Sequence, residues 1–167
     1  MDRLIVVMGV AGCGKSTVGA ALAEALDARF DDGDAFHSPE NVEKMRSGQP
    51  LTDDDRWPWL DAIGAHFANQ SGRAIVASSA LKRAYRDRIA AATGAPVLYI
   101  HLDGPFDLIA ERMAARQGHY MPTALLQSQF DALEPIAPDE NAIVVSVAGS
   151  PETILSEIHE RLTAREA

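Results

Sequence analysis

Eight residues near the start of the chain, Gly9-Val10-Ala11-Gly12-Cys13-Gly14-Lys15-Ser16, have the spacing G-x-x-x-x-G-K-S. Glycines at these positions let the backbone turn tightly enough for successive N–H groups to converge on phosphate oxygens. A helix opening near Lys15 adds the positive end of its dipole. In such a loop Lys15 reaches the β- and γ-phosphates, the Ser16 hydroxyl binds magnesium, and Thr17 can add a bond to the α-phosphate. Cys13 has no histidine close in sequence to activate it, so it is expected to contribute backbone alone.

A second chemical signal is Asp32-Gly33-Asp34, directly after an apolar stretch. The two carboxylates are expected to face opposite sides of a strand end. Asp32 is assigned to magnesium through water, and Asp34 to the hydroxyl that attacks the γ-phosphate. The N-K-x-D signature that specifies a guanine base is absent, and the run Ala74-Ile75-Val76-Ala77 ends in Ser78-Ser79-Ala80 instead of an aspartate. Both facts point away from switch GTPases and motor ATPases and towards small-molecule kinases.

These groups need a scaffold. Apolar runs at 4–8, 74–77, 97–102 and 142–147, with a weaker one at 29–31, read as strands. Helical patterns lie at 15–26, 39–47, 54–69, 82–92, 105–115, 123–133 and 151–164. Strand–helix alternation of this kind implies parallel strands with helices on both faces. Ser38-Pro39 and Ser150-Pro151 mark helix starts, and Thr52-Asp53-Asp54-Asp55 places carboxylates where a helix dipole favours them. The segments 31–50 and 116–123 break the pattern, and irregular segments of a compact α/β protein are where function is most often built.

Composition narrows the partners. The 167 residues are 47% hydrophobic and 23% charged, as in an ordinary globular domain, with a formal net charge of -9. An acidic chain is poorly suited to nucleic acid or anionic membrane, so neither is expected as a partner. The single cysteine excludes an internal disulfide, in keeping with a reducing cytoplasm. No stretch approaches the roughly eighteen apolar residues of a membrane span.

Further motifs sharpen the assignment. Phe30-Asp31-Asp32-Gly33-Asp34-Ala35-Phe36-His37 precedes Asn41-Val42-Glu43-Lys44-Met45. Gly48-Gln49-Pro50-Leu51-Thr52-Asp53-Asp54-Asp55-Arg56 and Pro58-Trp59-Leu60 follow. Beyond them come Ser79-Ala80-Leu81-Lys82, Tyr85-Arg86-Asp87 and Ala115-Arg116-Gln117-Gly118-His119-Tyr120-Met121. In this order they resemble the gluconate kinase family over most of the chain, departing at Ser78, where that family often has cysteine. The resemblance implies one domain, 1–167, with the P-loop kinase fold. That fold is a three-layer α/β/α sandwich with a central parallel sheet of about five strands and a mobile lid at about 114–124. It further implies ATP and Mg2+, gluconate as acceptor, and a cytoplasmic homodimer.

Gluconate is a carboxylate bearing a row of hydroxyls, so its site needs cations together with polar groups. Arg56, Lys82 and Arg86 supply cations within the matched motifs, and His37 and Asp34 can exchange hydrogen bonds with hydroxyls. Arg83 and Arg88 are expected to be surface charges, and Trp57 and Trp59 packing residues. The resemblance places Arg116 in the lid, neutralising charge on the transferring phosphate, with Gly118 as a hinge and Arg112 stacked on adenine. Shikimate and nucleoside monophosphates remain alternative acceptors, and an ATP sensor without turnover would lack the carboxylate that Asp34 provides.

Overall fold

The computed structural model describes residues 2–115 and 123–166. At its centre, β1 (Leu4–Met8) and β3 (Ala74–Ala77) are apolar runs with every residue buried. Neither shows polar–apolar alternation because both faces of the sheet are covered. With β2 (Arg29–Asp32), β4 (Leu98–Asp103) and β5 (Ala142–Ser146) they form a parallel sheet in the order β2-β3-β1-β4-β5. The strands at the two edges are more exposed, as an edge position allows.

Among the described residues seven helices cover the sheet: α1 (Lys15–Leu26), α2 (Pro39–Arg46), α3 (Asp53–Ala68), α4 (Arg83–Thr93), α5 (Phe106–Ala115), α6 (Thr123–Ala132) and α7 (Pro151–Glu166). Side chains on a strand alternate between faces, and β1 sorts accordingly. Ile5 and Val7 pack with Val18 and Leu22 of α1, Ile109 of α5, Leu126 of α6 and Ile154, Ile158 and Leu162 of α7. Leu4, Val6 and Met8 pack with Trp59, Leu60, Ile63 and Phe67 of α3 and with Tyr85 and Ile89 of α4. Each such large side chain taken fully out of water contributes roughly 1.5–3 kcal/mol, which makes the two faces of β1 the anchor of the three layers.

Helix starts behave as their sequences require. Ser38 Oγ accepts from Asn41 N at 3.1 Å with Pro39 behind it, opening α2. Thr52 and Asp55 form a reciprocal capping box at α3, with bonds of 3.1 and 2.9 Å. Asp55 also takes the Lys44 ammonium at 2.6 Å, joining α2 to α3. Lys82 is the extended residue before α4 and not its first helical residue, so its side chain leaves the helix end instead of lying on a helix face.

The phosphate loop follows β1, Asp32 ends β2 and Ser78 follows β3. These strands are neighbours, so all three features meet at one edge of the sheet. In open α/β sheets that carboxyl edge is where ligands bind.

Candidate active site

The phosphate loop takes the conformation its glycines permit. Gly14 sits at φ 95°, in the left-handed region that lets the chain enter α1 directly. No side chain caps that helix start, so the first N–H groups of α1 are left for an external acceptor, a ready anion site. Lys15 Nζ lies 3.5 Å from the Val10 carbonyl oxygen, its side chain arched back over the loop. Ser16 and Thr17 are exposed, whereas Cys13 is 4% exposed and belongs to the apolar cluster beneath.

Asp32 links this loop to the next strand. One of its oxygens accepts from Ser16 Oγ at 2.8 Å, and the other accepts from the Asp34 backbone N–H at 3.0 Å. Residues two apart on a continuous strand share a face, so strand geometry alone would not separate the two carboxylates. The expectation of a plain strand end is corrected here: β2 stops at Asp32, which caps a 3-10 turn over Gly33–Phe36 that re-aims Asp34. Gly33 permits this, since a Cβ there would lie 2.5 Å from the Ala77 carbonyl oxygen. The Asp34 carboxylate is exposed and has no hydrogen-bond or ion-pair partner among the described residues. Next to the turn, Ser78 Oγ is buried with no hydrogen-bond partner.

His37 follows the turn and stacks on Trp59, with ring centroids 4.1 Å apart and planes 18° apart. Trp59 is itself fixed by its indole N–H, which donates to the Gly33 carbonyl at 2.8 Å. Partial burial lowers the His37 pKa below the ordinary value, the Asp34 charge opposing this and the Arg56 charge adding to it. His37 is therefore neutral at pH 7, able both to donate and to accept.

A second group of charges adjoins it. Arg56 donates to Tyr85 Oη at 3.1 Å, and Tyr85 Oη donates in turn to Asp53. Lys82 Nζ and Arg56 Nη1 lie 3.5 and 3.7 Å from the same Asp53 oxygen. Both cations also sit over the Tyr85 ring, at 5.4 Å for Arg56 and 5.6 Å for Lys82, within cation–π range. Asp34 and His37, three residues apart on the turn, and Arg56 and Lys82, brought together from α3 and the start of α4 by Asp53 and Tyr85, form two groups, with the Arg56 charge acting on His37.

Arg86 does not join them. Its side chain is 1% exposed, and its guanidinium is spent on the Glu140 carboxylate and on the Ala80, Leu81 and Glu134 carbonyls. Five N–H groups meet five internal acceptors, so the expectation that Arg86 binds substrate is corrected: no donor remains for one. Arg112 donates to the Val147 and Gly149 carbonyls, holding the loop between β5 and α7. These in-plane bonds fix the guanidinium beside the loop at 147–149. Arg116, Gly118 and most of the lid expected at about 114–124 lie outside the described residues. Arg83 and Arg88 make exposed ion pairs with Asp139 and Asp61.

Three site residues were not singled out from sequence. Asp53 looked like one of several helix-start carboxylates, and Tyr85 passed as part of a motif without a role. Gln129, whose Oε1 accepts from the Ala11 N–H of the phosphate loop at 2.6 Å, carried no local signal.

A family model described as "AAA domain" matches residues 4–136. The gluconokinase of Gluconobacter oxydans is 42% identical over 167 residues, covering 98% of this chain and 93% of that protein. The thermoresistant gluconokinase of Escherichia coli is 45% identical over 147 residues, covering 86% of this chain and 83% of that one. The crystal structure of a gluconokinase from Sinorhizobium meliloti superposes with a TM-score of 0.87 at 42% identity, covering 100% of both chains. At this identity over nearly the full length, the chain belongs to the gluconokinase family of P-loop proteins.

Proposed function

We propose that the protein transfers the γ-phosphoryl group of ATP to D-gluconate, giving 6-phospho-D-gluconate and ADP. The observation that carries this is the position of Asp32, which bonds Ser16 of the phosphate loop with one oxygen and the Asp34 N–H with the other. It joins the nucleotide side of the site to the acceptor side. ATP lies with its phosphates in the loop, where the backbone N–H groups of Val10, Gly12 and Gly14 form the cradle. The Gly9 and Cys13 N–H groups hold the loop's shape by donating to the Ser79 and Val10 carbonyls. Lys15 moves from the Val10 carbonyl to the β- and γ-phosphates. Ala11 lends its backbone to the same curve, and Thr17 takes the α-phosphate.

The residues present fit a magnesium ion. Among the described residues no cluster of three or more acidic, histidine or cysteine side chains forms a metal cage. Magnesium does not need one, because it keeps water and substrate phosphate oxygens around one or two protein oxygens. Ser16 Oγ and Asp32 supply those oxygens. When bound, the ion would neutralise charge on the β- and γ-phosphates.

Arg56 and Lys82 take the gluconate carboxylate, and His37 a hydroxyl. Asp34 orients the terminal hydroxyl and receives its proton as the new O–P bond forms and the bond to ADP breaks. Most of the acceleration comes from holding the reactants in line and balancing charge. Arg116 would add a cation on the transferring group, with Arg112 steadying the loop at 147–149 on the adenine side. A cytoplasmic homodimer belongs to the same proposal and rests on the family resemblance.

Asp34→Asn tests the acceptor assignment. General-base contributions are typically about 100- to 10,000-fold, so kcat should fall by that order while ATP binding, measured by calorimetry, stays within twofold. Unchanged turnover would remove Asp34 from the reaction.

A further inference from the structure

The peptide between Val10 and Ala11 is gripped on both sides. Its carbonyl oxygen accepts from the Cys13 N–H at 3.3 Å and from Lys15 Nζ at 3.5 Å, and its N–H donates to Gln129 Oε1 at 2.6 Å. No peptide bond among the described residues is cis, so the C=O and N–H of this unit point in opposite directions. Lys15 therefore waits on one side of the loop and Gln129 holds the other. The bond to Lys15 is long and the bond to Gln129 short, so the glutamine fixes the peptide while the lysine remains free to leave it.

Gln129 is presented firmly. It lies on α6, where Leu126 is 2% exposed and Phe130 meets Phe106 of α5 edge to face at 5.6 Å. The same pair of helices touches the next residue of the loop: a Cβ placed on Gly12 would fall 2.3 Å from Cγ of Met113 on α5. The outer wall of the phosphate loop is thus built by α5 and α6, with one polar contact at Ala11.

We infer that Gln129 is a positioning residue for phosphoryl transfer. By fixing the Ala11 N–H it sets, together with the Cys13 N–H on the carbonyl itself, the direction of the Val10 carbonyl, and through that carbonyl the place from which the Lys15 ammonium reaches the phosphates. This rests on the nucleotide role of the loop proposed above. Gln129 touches neither reactant and acts through Lys15.

The test compares two variants of the full chain. Gln129→Met keeps the volume and removes the strong acceptor, whereas Gln129→Glu keeps an acceptor oxygen at the same reach. Turnover of the unaltered protein with ATP and gluconate is measured first, and its absence would reject the functional proposal itself. Given that turnover, Gln129→Met should lower kcat about tenfold with the KM for gluconate unchanged, and lower the Tm by only about 2–5 °C, the size expected for one lost hydrogen bond. At saturating ATP, Gln129→Glu should recover most of the kcat. A kcat for Gln129→Met within twofold of the original would overturn the inference. So would a Gln129→Glu no better than Gln129→Met, or a loss of kcat that vanishes when the two proteins are assayed at equal distances below their Tm.

Discussion

The Asp53 carboxylate stands between Lys82 and Arg56, 3.5 Å from one cation and 3.7 Å from the other, and accepts a hydrogen bond from the Tyr85 hydroxyl. The Tyr85 hydrogen bond is the main reason its carboxyl lies below the usual range, with Lys82 and Arg56 adding to the effect. An incoming substrate carboxylate that uses both cations competes with this one. The two long contacts are of the kind an anion in solution can replace, since partly exposed pairs are weak.

Asp53→Asn keeps an oxygen for Tyr85 and removes the competing charge. The KM for gluconate should therefore fall about threefold, with the KM for ATP unchanged, in steady-state assays at low salt. A rise in the KM for gluconate would show that Asp53 holds the cations for the substrate instead of competing with it.

Magnesium dependence probes the bond between Ser16 and Asp32. Asp32→Asn retains an oxygen for the Asp34 N–H but loses the charge that draws the ion. Groups of this kind typically alter metal affinity or activity 10- to 100-fold, so half-maximal turnover should need about that much more magnesium. An unchanged magnesium titration would assign the ion elsewhere.

Arg86 gives the opposite kind of prediction, on stability. Removing one partner of a buried pair leaves an uncompensated charge, so Arg86→Leu should cost roughly 3–5 kcal/mol in urea unfolding. The KM for gluconate of the folded protein should stay within twofold. Burial alone would raise the Glu140 pKa, but its hydrogen bonds to Arg86 and to the Ala137 N–H outweigh that and hold it below the ordinary 4.5. Its stabilising contribution is therefore fully present above pH 4.5 and is lost as the pH falls through the lower, folded-state value. The gap between the original protein and Arg86→Leu should be widest near neutrality and narrow in acid. A stable variant with a KM raised tenfold or more would return Arg86 to the acceptor site.

The central strands and the phosphate loop were legible because their signals are local. β1 and β3 are continuous apolar runs, and the loop is set by glycine spacing and one lysine. Asp32 and Asp34 were found for the same reason, but the 3-10 turn that parts them depends on Gly33 fitting under the Ala77 carbonyl of another strand. Arg86 looked like a substrate cation because its acceptors are distant in sequence, Glu140 lying 54 residues away. Gln129 meets Ala11 across 118 residues, with nothing in either neighbourhood to announce it. Local chemistry identified the groups that react, whereas tertiary contacts decided which cations were already taken.

The most direct measurement is ADP release with ATP and magnesium, coupled to a visible readout, with gluconate compared against shikimate, nucleoside monophosphates and other sugar acids. Turnover with gluconate at least a hundredfold above every other acceptor is the result predicted here. Turnover with shikimate or a nucleotide instead would leave the phosphate loop's role intact and contradict the acceptor site built on Asp34, His37, Arg56 and Lys82. ATP binding without turnover on any acceptor would contradict the proposed reaction itself.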